Sequence, residues 1–353
     1  MKKLLTLIIS VMLLMSCSEE DESPISKDGS IFLINGLGAV GTLSVIDDDG
    51  MISNDVMNVG SIPNHISEYE GVLYIVNSGN NNVQMINAST CENIGSIELP
   101  PFRNPMRAVG CNGKIYITSM QGPGLDVYSI EEASLDSIVL TSVPAESMNG
   151  GTDAIYSDGN FVFVGVRNIN YDNWPIVNYG PEYMVIINPE SDLVEITMEV
   201  GYNIADILID LEGDLHVLCS GNRDDVNGVV KVYPNTKVEK AEVEEILLGS
   251  EPGSLIMNSE GMVYVGVTVY GGTTGSGGIM KYNSATNEVL NSSENLLYST
   301  TDDVIMDVVV DGYDKLYAPL FYENELIVFE NDSIDTVLTT GVGPQELVFV
   351  GEE

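Results

Sequence analysis

Positively charged side chains are scarce in this sequence. Its 353 residues include 13 lysines and arginines against 53 aspartates and glutamates, which gives a formal net charge of −40 at pH 7. A surface with this balance repels the phosphate backbone of nucleic acids and anionic lipid head groups. We therefore expect no nucleic-acid partner. A saline habitat and a cationic ligand both suit such a charge, and composition does not choose between them.

Residues that commonly perform catalysis are scarce as well. The chain has two histidines, four cysteines and one tryptophan. It contains neither a Gly-x-Ser-x-Gly nucleophile elbow nor a His-Glu-x-x-His zinc motif. His216 lies within the apolar segment DLHVL, where we expect a residue of the core. These absences favour a binding protein over an enzyme.

A single apolar run, at the N-terminus, stands apart from the rest of the chain. Two lysines precede it, and it covers residues 4–15, which is too short to cross a bilayer. This pattern predicts a secretory signal peptide at residues 1–16. The run ends in LMSC, which resembles the lipobox of bacterial lipoproteins. The resemblance implies cleavage before Cys17, lipidation of Cys17 and a membrane anchor.

The segment that follows Cys17 is acidic. Ser18 is followed by EEDE, which resembles the tag that sends some Gram-negative lipoproteins to the outer surface of the outer membrane. The alternative is a solvated acidic linker. We therefore predict that residues 17–28 are the acylated cysteine and a linker, and that the protein is an outer-membrane lipoprotein at the cell surface. Three cysteines remain beyond Cys17, an odd number that does not form a closed disulfide framework.

A repeated unit makes up the rest of the chain. It consists of a turn followed by a short strand in which β-branched and aromatic residues alternate. The unit occurs seven times at intervals of 42 to 54 residues, and each copy reads as four strands. This repeat predicts an all-β fold, a seven-bladed β-propeller over residues 29–353. The turns lie at Gly29, Gly71, Gly113, Gly159, Gly213, Gly261 and Asp314.

The two ends of the repeat region complement each other. The first unit lacks the strand that should precede it, and one strand, PQELVFV at residues 344–350, is left over after the last unit. We predict that this C-terminal strand pairs into the first blade and closes the ring, which removes exposed sheet edges. The segment LYIVNSGNNNVQMIN at residues 73–87 resembles the YVTN-type propeller repeat family. That family is functionally mixed, so the resemblance implies a fold and little chemistry.

Seven polar residues are expected at one end of the central channel. Each lies two positions into the inner strand of its blade, although these strands are otherwise mostly apolar. In a propeller such positions surround the channel mouth, on the face where the loops between second and third strands open. We call this set the polar ring. Its members are His65, Arg107, Asp153, Asp206, Ser254, Asp307 and Glu346.

Two interpretations of the polar ring remain open. In one, its carboxylates converge on a polar ligand or on Ca²⁺ or Mg²⁺, with Asp153, Asp206 and Asp307 as metal ligands and Glu346 beside them. In the other, the ring is a hydrated funnel whose groups cap strand ends and hold water. Arg107 and Arg167 are expected to pair with ring acids or to meet an anionic ligand group.

The same face carries an aromatic-rich insertion in the fourth blade. It reads RNINYDNWPIVNYGPEY at residues 167–183. Long loops in compact domains are often functional, and tyrosine and tryptophan offer flat amphipathic contact area. We therefore name Arg167, Tyr171, Trp174 and Tyr179 as candidate ligand contacts. The alternative for Trp174 is that it fills a gap between blades.

These patterns predict a non-catalytic surface lipoprotein that binds a small ligand on its loop-rich face. It resembles propeller lipoproteins that capture nutrients for an outer-membrane transporter, one group of which binds cobalamin. The resemblance makes cobalamin one option and a transporter a candidate partner. One alternative is a metal-assisted lyase or lactonase that uses His65 with the carboxylates of Asp153, Asp206 and Asp307. Another is an assembly or adhesion propeller that holds its partner on the blade sides.

Overall fold

The computed structural model describes residues 29–122, 124–170, 177–234, 243–249, 251–269 and 276–351. These ranges contain 31 strands and a single turn of 3-10 helix, η1 (Ala145–Ser147). The predicted all-β fold is confirmed. Within the same ranges, no helix has the length and apolar character needed to span a bilayer.

Seven antiparallel sheets form the blades, and their innermost strands contact one another in a closed cycle. The first three blades match the predicted repeat closely. Blade 1 consists of β31 (Pro344–Val350), β1 (Ser30–Asn35), β2 (Thr42–Ile46) and β3 (Ile52–Asn58). Blade 2 consists of β4 (Pro63–Tyr69), β5 (Val72–Asn77), β6 (Asn82–Asn87) and β7 (Asn93–Glu98). Blade 3 consists of β8 (Pro105–Cys111), β9 (Lys114–Ser119), β10 (Gly124–Ser129) and β11 (Ser134–Val139).

The remaining blades carry two small additions, the hairpin β14–β15 in blade 4 and the extra strand β26 in blade 6. Blade 4 consists of β12 (Thr152–Ser157), β13 (Val162–Val166), β16 (Pro181–Asn188) and β17 (Leu193–Tyr202), with β14 (Ile169–Asn170) and β15 (Asn178–Tyr179). Blade 5 consists of β18 (Ile204–Ile209), β19 (Leu215–Cys219), β20 (Val229–Tyr233) and β21 (Glu244–Leu247). Blade 6 consists of β22 (Pro252–Met257), β23 (Met262–Val269), β24 (Ser276–Asn283), β25 (Val289–Asn291) and β26 (Tyr298–Thr300). Blade 7 consists of β27 (Val309–Val310), β28 (Leu316–Leu320), β29 (Glu325–Glu330) and β30 (Ser333–Thr339).

The C-terminal strand closes the ring as predicted. β31 pairs antiparallel with β1, with Phe32 opposite Val348 and Leu33 opposite Leu347. Every residue of β1 is buried, because the next blades cover both of its faces. The seven predicted turn positions all have positive φ, for example 75° at Gly71 and 62° at Asp314, a conformation that glycine adopts without strain.

The hydrophobic core is divided among the blade interfaces. Seven clusters of buried apolar side chains are found in the described chain, each between two neighbouring blades. The cluster between blades 4 and 5, for instance, joins Phe163 to Leu215 and Val217. Cys111 and Cys219 lie in such clusters as buried thiols without a disulfide. Burial of apolar area between blades therefore supplies most of the favourable free energy of folding.

The strand directions define two faces. Inner strands begin at the loop face, which carries the connections between blades and the loops between second and third strands. The hairpin face carries the turns between first and second strands and between third and fourth strands. Gly29 precedes β1, and β1 runs toward the loop face. The described chain therefore begins at the hairpin face.

Three buried polar clusters fasten blades together near the hairpin face. We call them the hairpin-face clusters, and each has an aspartate in a turn of that face. His216 has no exposed surface, and its expected place in the core is confirmed. In the first cluster, Asp192 accepts hydrogen bonds from Tyr116 Oη (2.6 Å) and Lys114 Nζ (2.6 Å). In the second, Asp332 accepts from Tyr264 Oη (3.1 Å) and Lys281 Nζ (2.7 Å). In the third, Asp210 lies 3.2 Å from His216 Nε2, and His216 Nδ1 is 2.9 Å from Tyr282 Oη.

Candidate functional site

The polar ring coincides with interruptions in the ladders between first and second strands. The register shifts between Pro63 and His65 in β4 and between Ile204 and Asp206 in β18. Such a bulge redirects a side chain and leaves a backbone group without its ladder partner. The local irregularity is the reason that a polar side chain faces the channel here. Shifts at or beside a ring position also occur for Arg107, Asp153, Ser254 and Glu346.

Three ring members bridge neighbouring blades through the same hydrogen bond. In each case the side chain on one blade accepts the backbone N–H of the residue after the ring position on the next blade. These bonds satisfy backbone groups that the bulges leave free. The three side chains therefore have a structural role. The pairs are His65 with Ala108 (3.4 Å), Asp206 with Leu255 (2.8 Å) and Asp307 with Leu347 (3.1 Å).

Arg107 lies among the ring carboxylates. Its Nε is 3.5 Å from Asp153 Oδ1, and its Nη1 is 3.9 Å from Asp206 Oδ1. Asp153 in turn pairs with Arg167, at 3.0 Å between Oδ2 and Nη1. Burial opposes the charge of Arg107, but Glu346 and the three ring aspartates together raise its pKa above the ordinary value. The structure thus brings the predicted ring residues together around a cation that the protein itself provides.

The remaining two carboxylates of the polar ring form no ion pair within 4 Å in the described part of the chain. Burial raises the pKa values of both Asp307 and Glu346, and Asp307 raises that of Glu346 further. Arg107 offsets this only in part. Among the described residues Glu346 has neither a hydrogen bond nor an ion pair within 4 Å. Both carboxyl groups therefore keep a proton to higher pH than free ones do, and they titrate as a coupled pair.

His65 is a neutral member of the ring. Burial and the nearby charge of Arg107 lower its pKa to about 3. Its Nδ1 accepts the Ala108 N–H, so its proton is on Nε2. His65 is therefore a hydrogen-bonding group at neutral pH and adds no charge to the ring.

The predicted metal site on Asp153, Asp206 and Asp307 stays a prediction, and the arrangement of these side chains does not favour it. The described part of the chain contains no group of three histidine, cysteine, aspartate or glutamate side chains arranged to hold a metal ion. The Arg107 guanidinium lies between Asp153 and Asp206, and each aspartate already accepts from other donors. A guanidinium in this position occupies the carboxylate oxygens that Ca²⁺ or Mg²⁺ would need.

A cavity of about 550 Å³ runs along the channel from the ring toward the hairpin face. His65, Arg107, Asp206, Asp307 and Glu346 form its polar end. Its walls are mostly apolar and come from inner strands, with Val109, Ile209, Val310, Val348 and Phe349 among them. This size lies within the range of small-molecule sites.

On the loop face, Tyr179 lies between two arginines. Its ring centroid is 5.8 Å from Arg167 Cζ and 5.6 Å from Arg223 Cζ, and its hydroxyl is 3.3 Å from Arg167 Nη2. Tyr179 is only 8% exposed, so it supports the arginines and does not offer the open contact area that we expected. Arg223 is the accessible member, with 36% of its side chain exposed, and its Nε lies 3.5 Å from Glu251.

Arg223 and Glu182 were not identified from the sequence. Glu182 is fully buried and accepts the N–H groups of Asn168 (3.1 Å) and Ile204 (2.6 Å), which ties the blade 4 loop to blade 5. Burial raises its pKa to about 7 despite these bonds. Arg223 could have been identified from the sequence, because the chain has four arginines in all and each is therefore a candidate ligand contact. The predicted contacts Tyr171 and Trp174 lie outside the described residues.

All four arginines lie on the loop face. Arg103 precedes β8 and pairs with the buried Asp126 at 2.9 Å, while Arg107 is near the start of β8. Arg167 follows β13, and Arg223 lies between β19 and β20. By contrast, Lys114, Lys281 and Lys315 pair with acids near the hairpin face. The two faces therefore differ in which cation they use.

Comparison with known proteins supports the fold and leaves function open. No family model matches the chain, and no curated protein matches it significantly. Among solved structures, apo AztD from Citrobacter koseri is 12% identical, with 92% of this chain and 98% of that chain covered and a TM-score of 0.58. A streptogramin B lyase is 14% identical, with 78% and 81% covered and a TM-score of 0.56. A putative 6-phosphogluconolactonase from Bacteroides uniformis is 9% identical, with 92% and 100% covered and a TM-score of 0.66. Such low identities show a shared propeller fold alone.

Proposed function

We propose that this protein is a non-catalytic binding protein that holds a small organic ligand on its loop face. The observation that carries the proposal is the position of all four arginines on that face, in a chain with 53 acidic residues. Arginine recognises carboxylate and phosphate groups through paired N–H donors and also stacks on planar groups. The ligand proposed here therefore presents an anionic group and a planar group.

Arg223 is the residue that meets the ligand in this proposal. It is held in a left-handed backbone conformation, with φ of 60°, which is uncommon for a residue other than glycine. Stacking on Tyr179 fixes the orientation of its guanidinium group, and its ion pair with Glu251 is long and partly exposed. An incoming anion can compete for such a pair, because exposed ion pairs contribute little free energy. Arg167 and the polar ring form the floor of the site.

The proposed location follows from the N-terminal sequence. A lipid anchor at Cys17 would hold the protein at the outer membrane, and residues 17–28 reach at most about 40 Å when extended. The described chain begins at the hairpin face. The loop face would then point away from the tether, which suits capture of a nutrient for an outer-membrane transporter. Changing Cys17 to Ser should abolish labelling with palmitate and release the protein from the membrane fraction. Unchanged labelling would contradict the anchor.

One observation favours a second function, that of a lyase or lactonase-type enzyme. Asp307 and Glu346 combine raised pKa values with a position at the end of a cavity, and such groups are candidate acids or bases. In that case Glu346→Gln would abolish turnover of a lactone or lyase substrate, and Asp206→Ala or His65→Ala would reduce it as well. The last two variants need a check of folding, because His65 and Asp206 also bridge blades.

Native mass spectrometry of residues 24–353, purified without chelator, tests the binding proposal. A retained organic mass should be present in the wild type, lost in Arg223→Ala and kept in Lys315→Ala, a matched change of a cation at the hairpin face. If no mass is retained, the same three proteins are titrated with cobalamin, a nucleoside monophosphate and a sugar phosphate. Equal binding by all three proteins, or none with any probe, would overturn the proposal and favour a partner on the blade sides.

A further inference from the structure

We propose that the cavity beneath the polar ring is a second binding site, one that takes an amphipathic amine with a protonated amino head and a compact apolar body. The head would lie against Glu346 and Asp307, and the body would fill the channel toward the hairpin face. This site shares the polar ring with the loop-face site, but its ligand lies on the channel side of the ring and belongs to a different chemical class, so the two proposals are tested by different probes.

The shape and lining of the cavity favour an amphipathic ligand. One end is closed by the charged side chains of the polar ring, and the walls consist mainly of apolar side chains such as Val109 and Phe349. The cavity reaches Met257 and Val310, which lie at the hairpin-face ends of their strands. A molecule with one polar end and one apolar end matches this distribution, whereas a wholly polar ligand would leave the walls uncovered.

The charge of the ring points to a cationic head. Four ring carboxylates face two guanidinium groups, those of Arg107 and Arg167, so two acids are in excess. The ion pairs shorter than 4 Å belong to Asp153 and Asp206, whereas Asp307 and Glu346 form none in the described residues and are attracted by Arg107 only from farther away. His65 cannot supply one because its pKa is far below neutrality. An ammonium group would provide the missing charge in a place where water screens poorly.

A hydroxyl group without a hydrogen-bond partner in the described structure also lines this cavity. Ser67 lines the same cavity two residues below His65, and its Oγ is buried without a hydrogen-bond partner in the described structure. Buried hydroxyl groups are normally bonded, so such an atom indicates a missing partner. An ammonium group has three N–H donors, so it can donate to a hydroxyl oxygen as well as to carboxylates.

Binding of the amine should release a proton. The raised pKa values of Glu346 and Asp307 favour retention of a proton by the pair when the cavity holds no cation. When the ammonium group enters, both carboxyl groups become ionised and the shared proton passes to the buffer. The ammonium nitrogen keeps all of its protons, so the exchange is one cation in and one proton out.

Calorimetric titration with hexylammonium chloride tests this inference. Hexan-1-ol and hexanoate serve as probes with the same chain and a different head. We expect hexylammonium to bind at least tenfold more tightly than hexan-1-ol, hexanoate not to bind, and the heat to differ between phosphate and HEPES buffers at pH 7 in proportion to proton release. Equal affinity for the alcohol, or heat that is independent of the buffer, would overturn the inference.

Substitutions at the two ends of the cavity test where the ammonium head group binds. Glu346→Gln should weaken hexylammonium at least tenfold and remove the dependence on buffer. Glu68→Gln is the matched control, since Glu68 lies at the far end of the cavity and already accepts the Gly71 N–H. Circular dichroism and thermal unfolding verify that both variants fold. Loss of affinity in Glu68→Gln with none in Glu346→Gln would contradict the assignment of the head group.

Discussion

The hairpin-face clusters and the polar ring both place acids at contacts between blades, but they differ in how well those acids are paired. In the hairpin-face clusters each aspartate accepts from at least one phenol, amine or imidazole donor. In the described part of the polar ring, Asp307 and Glu346 form no ion pair within 4 Å, and burial raises their pKa values. Polar groups with full hydrogen bonding hold blades together. Buried polar groups without enough partners lower the stability of the fold, and a ligand can provide the missing hydrogen bond or opposite charge.

The largest expected effect is at the hairpin face. Changing His216 to Ala would leave the carboxylate of Asp210 and the hydroxyl of Tyr282 buried without their partner. The free energy of unfolding should fall by about 3 kcal/mol or more, since each unpaired buried group costs roughly 1–3 kcal/mol. Urea unfolding at pH 7 measures this value. A loss below about 1 kcal/mol would mean that this cluster does not fasten blades 5 and 6.

A smaller loss is expected for Asp332→Ala. This change removes the acceptor of Tyr264 and of Lys281, which is 9% exposed, but the Asp332 side chain itself is 41% exposed. Because solvent screens the pair in part, we expect a loss of about 2 kcal/mol. The control Asp332→Asn keeps an acceptor for Tyr264 and should recover part of that loss. No difference between the two variants would contradict a role for the hydrogen bond.

The hairpin-face clusters and the polar ring each contain one histidine, His216 and His65, and the pKa values of the two can be compared. Burial lowers the pKa of His216, and burial with Arg107 lowers that of His65 to about 3. Nuclear magnetic resonance of the imidazole protons should therefore show no titration of His65 between pH 5 and 8 and a midpoint below 6.5 for His216. Because unfolded histidines take up protons below about pH 6.5, the histidine contribution to stability should be lost as pH falls. A midpoint of 6.5 or above for either residue would be contrary evidence.

The smallest effect on stability is expected on the loop face. Arg223→Ala removes a partly exposed side chain whose ion pair with Glu251 is 3.5 Å long. The free energy of unfolding should change by less than about 0.5 kcal/mol. Ligand affinity should nevertheless fall at least tenfold, since Arg223 is the proposed contact. A large loss of stability with no loss of affinity would make Arg223 a structural residue.

Much of the fold was predictable because its signals are local. Turns such as Gly71 and strands such as VLYIVN recur in the sequence, and the unpaired C-terminal segment fits the gap in blade 1. The polar ring followed from the same register. The partners of ring residues were not predictable, because the bond from Asp206 to Leu255 depends on a bulge and on the spacing between two blades.

The loop face was less predictable than the ring. Arg223 and Tyr179 come together although 44 positions separate them, and no local pattern links them. The sequence left open whether Asp153 binds a metal or pairs with an arginine, and the structure shows it paired with Arg107 and Arg167. The charged residues in the sequence therefore indicated where the site lies, whereas the ion pairs that these residues form could be identified only from the three-dimensional structure.

In this account the polar ring lowers the free energy of unfolding of the protein. The substitution Glu346→Gln tests that claim most directly. Because the pKa of Glu346 is raised in the folded state, its contribution becomes unfavourable as pH rises above the ordinary value near 4.3. Urea unfolding at pH 8 should show the variant to be more stable than the wild type by about 1 kcal/mol or more, with a smaller gain at pH 5.5. A variant that is less stable at pH 8, as expected for Asp332→Ala, would contradict this account and make the ring another structural cluster.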